Sequence, residues 1–121
     1  MAKGTILVVD DSPTELRLIA GTLQGKGYNI ITAADGDQAL ERAEKEKPRL
    51  VVLDIVMPKK NGFQVCRQLK SSAQTKDIKV LLISSKNQET DKLWGMKQGA
   101  DDYMTKPFKD DELLASVAKL M

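Results

Sequence analysis

Apolar residues recur along this chain in two alternating rhythms. Short aliphatic runs at residues 5–9, 50–53 and 79–83 carry no polar alternation, which predicts strands buried on both faces of a parallel sheet. Two weaker runs are also read as strands. Residues 29–32 are less purely apolar, as an edge strand is, and residues 103–105 are brief. Between the runs the spacing changes to threes and fours. Leu16, Ile19, Ala20 and Leu23 form one stripe; Ala39, Leu40 and Ala43, then Phe63, Cys66 and Leu69, then Leu113, Leu114, Val117 and Leu120 form three more. Each stripe predicts a helix that lays one face on the sheet. A further helix is expected over residues 88–98, closed by Gly99, with Trp94 packing rather than binding.

Local signals place the ends of these elements. Ser12-Pro13-Thr14-Glu15 reads as an N-cap, a proline at the first helical position and a capping-box partner. Gly25 and Gly27 stop that helix, and Asp35 with Gln38 repeats the capping logic for the next, which ends before Pro48. The loop over residues 56–61 contains Pro58 and leads into Gly62 and the third helix; residues 71–77 form a polar loop. Asp110, Asp111 and Glu112 suit the positive end of the last helix. Five strands alternating with five helices through short connections imply right-handed crossovers on both sides of one parallel sheet, hence a single α/β domain over residues 1–121.

The strands share a second property. Four of them end in groups able to do chemistry: Asp10-Asp11 after the first, Asp54 after the third, Ser84 after the fourth, Lys106-Pro107 after the fifth. Open α/β sheets place ligands at the carboxyl ends of their strands. A lone aspartate there is most often a turn former or helix cap. If the strands are parallel neighbours, however, three carboxylates, a hydroxyl and an amine converge on one edge, where a divalent cation and a phosphoryl group can be held.

Composition narrows the chemistry. With 41% hydrophobic and 30% charged residues the chain reads as soluble and globular, and a net charge of +2 is too balanced for a nucleic-acid footprint. The absence of histidine excludes His-based zinc sites, His general-base catalysis and a phosphohistidine role. The single Cys66, read as packing, excludes an internal disulfide and suits a reducing compartment. No apolar run approaches the ~20 residues of a membrane span. No signal peptide fits the first residues, so a cytoplasmic location is expected.

Taken together, Asp10-Asp11, Asp54 with Met57-Pro58, Ser84 and Lys106-Pro107 resemble the receiver domain of two-component response regulators, in order, at the family's spacing and over the whole chain. The stretch from Ile83 to Asp91, with Trp94-Gly95-Met96, further resembles the PilH-type branch linked to twitching motility. The resemblance implies a flavodoxin-like doubly wound sheet in strand order 2-1-3-4-5, which puts Asp10, Asp11 and Asp54 at the switch point between the first and third strands. It implies that Asp54 accepts a phosphoryl group from a sensor histidine kinase or phosphotransfer protein. Mg²⁺ would be held by Asp11, Asp54 and the backbone carbonyl of Val56, with Asp10 acting through water. Lys106 and the Ser84 hydroxyl would contact the phosphoryl oxygens, and the Lys106–Pro107 bond would be cis. Ser84 and Tyr103 would form a switch, and a downstream protein would be met by the face of the fourth helix, fifth strand and fifth helix.

Serine at 84 replaces the threonine of many receivers, and Val56 and Lys86 replace the amide or acid of fast-hydrolysing relatives. The expectation is a stand-alone signalling receiver without an effector domain, which catalyses only its own phosphorylation and dephosphorylation. Two other readings stay open on the residues. A Mg²⁺-dependent phosphotransfer enzyme of the haloacid-dehalogenase kind needs a second aspartate where Val56 stands. A flavodoxin-like cofactor binder needs a phosphate loop where Asp10-Asp11 stands.

Overall fold

The computed structural model describes residues 3–121. Five strands alternate with five helices: β1 (Thr5–Val9), α1 (Pro13–Gln24), β2 (Asn29–Ala33), α2 (Gly36–Glu46), β3 (Leu50–Asp54), α3 (Gly62–Ser71), β4 (Lys79–Ser84), α4 (Glu89–Lys97), β5 (Asp102–Thr105) and α5 (Asp110–Leu120). The strands pair in parallel in the order β2-β1-β3-β4-β5, the flavodoxin-like order expected. β3 lies between β1 and β4 and is buried along its whole length, which accounts for its unbroken aliphatic run.

Alternation along the strands divides the core in two. Leu7, Val9, Val51, Leu53, Val80 and Leu82 pack under α2 and α3 with Ala39, Ala43, Val65, Cys66 and Leu69. Ile6, Val8, Leu50, Val52, Leu81 and Ile83 pack under α1 and α5 with Ile19, Leu23, Leu113 and Val117. The helical stripes thus face the sheet as their spacing requires, and Val65 joins the stripe of α3.

Helix α4 departs from expectation. Leu93, Trp94 and Met96 are exposed, and only Gly95 of this helix is buried. A side chain at Gly95 would come within 3.0 Å of both Leu82 and Tyr103. The helix therefore approaches the sheet through its glycine, and the larger residues, Trp94 included, point outward.

The first helix start also differs. Ser12 caps α1 by accepting from the Glu15 amide at 3.4 Å, but the expected reciprocal bond from the Glu15 side chain is replaced. The Ser12 amide instead donates to Asp10 Oδ1 at 2.9 Å, and the Glu15 carboxylate is free to reach elsewhere. At the far end, Gly25 is right-handed, whereas Gly27, at φ +94°, supplies the left-handed turn into β2.

Candidate functional site

Main-chain hydrogen bonds continue the sheet just past its strands and thereby hold the chemical residues. The Asp10 amide donates to the Ala33 carbonyl at 3.2 Å, the Ile55 amide to Ile83 at 3.1 Å and the Lys106 amide to Ser84 at 2.9 Å. Asp54 stands opposite Ile83, and Ile83 opposite Met104, so strand alternation assigns the side of each residue. Asp10, Asp54 and Lys106 fall on the α1/α5 side, in phase with Val8, Val52 and Met104. Ser84 and Tyr103 fall on the α2/α3/α4 side, in phase with Leu82.

Asp10, Asp11 and Asp54 each bring a carboxylate oxygen within 4.8 Å of the others. Asp10 and Asp54 are buried, at 1% and 7% exposure, and Asp11 is exposed. The buried Asp10 Oδ2 has no hydrogen-bond partner among the described residues. A donor-free carboxylate oxygen facing two further carboxylates fits a hard divalent cation, which takes oxygen ligands and retains waters. Lys106 Nζ lies 3.4 Å from Asp54 Oδ1 and 3.7 Å from Asp10 Oδ2. The Lys106–Pro107 peptide bond is cis, as expected. Val56 follows β3 on the rim, half exposed, and lines one groove with Asp11, Asp54, Ser85 and Lys106.

Charge and burial act against each other here. Burial pushes the Asp10 carboxyl up to about 6, and the Asp54 charge adds to it, while the Ser12 amide and Lys106 pull it down. Burial also raises Asp54, opposed by the charge and hydrogen bond of Lys106. For Lys106 burial works to lower the ammonium. The hydrogen bond to Glu15 and the charges of Asp54, Asp10 and Glu15 outweigh it, and the group is raised. The lysine therefore stays charged at neutral pH beside a carboxylate cluster that is incompletely neutralised.

The two residues expected to act as a switch are joined through main chain. Ser84 is fully buried, and its Oγ accepts from the Lys86 amide at 3.1 Å. The Tyr103 hydroxyl donates to the Lys86 carbonyl at 2.8 Å, with its ring beside Gly95. Burial raises the Tyr103 phenol, and the charge of Asp91 adds to this. The structure thus clusters Asp10, Asp11, Asp54 and Lys106, and connects Ser84 with Tyr103 through Lys86 on the other side of the sheet.

Sequence reasoning missed two residues. Glu15, read as a cap, contacts Lys106 Nζ at 2.7 Å. Its signal was present: Glu15 precedes Ile19 and Leu23 at intervals of four, so it lies on the inward face. Gly62 was read only as a helix start. A Cβ there would lie 2.5 Å from the Asp54 carbonyl oxygen and 2.7 Å from Ile55 Cα, so the close approach of α3 to the site requires glycine.

Residues 6–118 match the model of the response regulator receiver domain. The chain belongs to the response regulator receivers. It is 46% identical over 112 residues to Protein PilH of Pseudomonas aeruginosa, covering 93% of each chain. It is likewise 46% identical to the alkaline phosphatase synthesis transcriptional regulatory protein PhoP of Bacillus subtilis, covering 96% of this chain but only 48% of that regulator. Among solved structures, the Vibrio cholerae chemotaxis protein CheY4 superposes with a TM-score of 0.92 at 31% identity, covering 100% of this chain and 99% of that one. Receivers are signalling modules rather than enzymes with an external substrate to turn over, and membership sets aside the dehalogenase-like and cofactor-binding readings. Among the described residues of this receiver, no helix is long and apolar enough to cross a membrane.

Proposed function

We propose that this receiver accepts a phosphoryl group on Asp54 from the phosphohistidine of a sensor kinase or phosphotransfer protein in the cytoplasm, and signals by a contact that depends on it. The observation that carries the reading is the buried Asp54 carboxylate facing one ammonium, 3.4 Å away, and two further carboxylates. An Asp54 oxygen attacks phosphorus, the new O–P bond forms as the P–N bond breaks, and the imidazole departs with the electron pair. Hydrolysis by water returns the carboxylate and inorganic phosphate.

Asp10, Asp11, Asp54 and the Val56 carbonyl would hold Mg²⁺, which when bound supplies the positive charge that lets two anions approach. Lys106 provides a fixed second cation for the phosphoryl oxygens, and Ser84 a hydroxyl donor. The Ser84 Oγ that would donate to the phosphoryl group accepts from the Lys86 amide in the resting receiver. The same Lys86 main chain holds the Tyr103 hydroxyl, so the two side chains are coupled through one peptide segment. The output face is then α4, β5 and α5, where Leu93, Trp94 and Met96 of α4 are already exposed to a protein partner.

Acetyl phosphate with Mg²⁺, followed by intact mass measurement, tests the assignment. The protein is expected to gain one phosphoryl mass, with acetate as leaving group, and Asp54→Asn or chelation of Mg²⁺ is expected to abolish the gain. Full labelling of the Asp54→Asn protein would refute it. Beryllofluoride, a phosphoryl mimic, is expected to shift amide signals from Ser84 to Lys106 and along α4. Shifts confined to the loops touching Asp54 would exclude the switch.

A further inference from the structure

The Lys106 ammonium has three carboxylate neighbours, and the nearest is not in the acid cluster. Glu15 Oε2 lies at 2.7 Å, against 3.4 Å for Asp54 and 3.7 Å for Asp10. Both ends of this contact are anchored by main chain. The Glu15 amide is capped by Ser12 Oγ, and the Lys106 amide is held by the Ser84 carbonyl. The Ser12 amide donates to Asp10 Oδ1 rather than to the Glu15 carboxylate, which leaves Glu15 free to accept from the ammonium. The shortest charge-assisted bond of Lys106 therefore leads to α1 rather than to Asp54.

We propose that Glu15 is a positioning residue that tethers Lys106 in the resting receiver and competes with the phosphoryl group on Asp54 for its ammonium. The inference rests on Asp54 as phosphoacceptor and adds a residue that sets how readily the phosphorylated state is occupied. An ammonium is a point charge with three donors on a flexible stem, so its position follows the surrounding anions. Phosphoryl oxygens on Asp54 would draw Nζ toward the strand ends, away from Glu15. The Glu15 charge also opposes the arrival of another anion, so tether and repulsion act in the same direction. The Glu15 side chain is 45% exposed, and solvent screens it. Its removal is thus expected to change affinities by about twofold to fivefold rather than by orders of magnitude.

The test compares wild type, Glu15→Gln and Glu15→Asp. Gln keeps the length and removes the charge; Asp keeps the charge and shortens the reach. Three quantities are read: beryllofluoride affinity at saturating Mg²⁺, the rate of labelling by acetyl phosphate, and the Lys106 side-chain nitrogen signal without metal. Saturating Mg²⁺ removes any effect of the Glu15 charge on metal loading. Glu15→Gln is expected to bind beryllofluoride about twofold to fivefold tighter, to label faster by a similar factor, and to shift the Lys106 nitrogen signal. Glu15→Asp is expected to fall between Gln and wild type. A merely structural tie between α1 and β5 would lower the melting temperature of Glu15→Gln and leave affinity unchanged or weakened, which overturns the proposal. An unmoved Lys106 signal in Glu15→Gln overturns it as well. Failure of wild type to label or to bind beryllofluoride would instead defeat Asp54 as acceptor, and the competition with it, while the nitrogen signal still reports whether the tether exists.

Discussion

Replacing Asp10 by asparagine isolates the free energy that a buried, incompletely paired carboxylate withholds from the fold. Asp10 is 1% exposed, and its carboxyl titrates near 6 in the folded chain against an ordinary 3.8. The folded state therefore binds the proton more tightly than the unfolded chain. Between pH 3.8 and 6 the native protein carries more protons, so stability falls as pH rises through that window. At about 1.4 kcal/mol for each tenfold difference in proton affinity, ionisation of this group costs the fold about 3 kcal/mol above pH 6. Asparagine has nearly the same shape, and its Oδ1 can still accept from the Ser12 amide. Lys106 keeps Glu15 and Asp54. Allowing for mutual readjustment of Asp54 and Lys106, Asp10→Asn is expected to be about 2 kcal/mol more stable than wild type at pH 7.5 in EDTA. The gain should shrink toward zero near pH 4, where wild-type Asp10 is protonated in the fold. Urea unfolding of both proteins at pH 7.5 and pH 4 measures this directly. Equal stabilities at pH 7.5, or a gain that is the same at both pH values, would refute the reasoning.

Gly62→Ala is expected to destabilise the protein by about 2 kcal/mol, because the new Cβ meets main chain at 2.5 Å and overpacking outweighs the better helix propensity of alanine; denaturant unfolding checks it, and unchanged stability would show that α3 can move off the Asp54 carbonyl. The acyl phosphate is expected to decay slowly. Val56 offers only an apolar wall on the groove, and the exposed Lys86 side chain has donors but no acceptor to orient water. Val56→Asn and Lys86→Glu are each expected to speed decay up to about tenfold, corresponding to ~1.4 kcal/mol of orientation. Decay with Mg²⁺ present is the assay, and identical rates in wild type, both variants and the double variant would show that these positions do not govern lifetime.

The order of elements, the two-sided burial of the central strands and the four chemical strand ends were determined by sequence alone. Each is a local consequence of chain period: an unbroken run such as Val51-Val52-Leu53 has no face to give to water, and a stripe such as Ile19 with Leu23 has only one. Asp10, Asp11, Asp54 and Lys106 were legible as a set because a parallel sheet brings every strand end to the same edge. Tertiary structure decided what depended on distances between elements remote in sequence. Glu15 could satisfy a cap or a lysine 91 residues away, and only the meeting of the start of α1 with the segment that follows β5 at the edge of the sheet settled it in favour of Lys106. Trp94 belongs to a helix whose approach is set by Gly95 against Leu82 and Tyr103, contacts that its own periodicity does not encode. Gly62 is required by the Asp54 carbonyl lying against its Cα, a clearance that exists only once α3 has folded back onto β3. Local periods report which way a residue faces; competition among partners is resolved only where those faces meet.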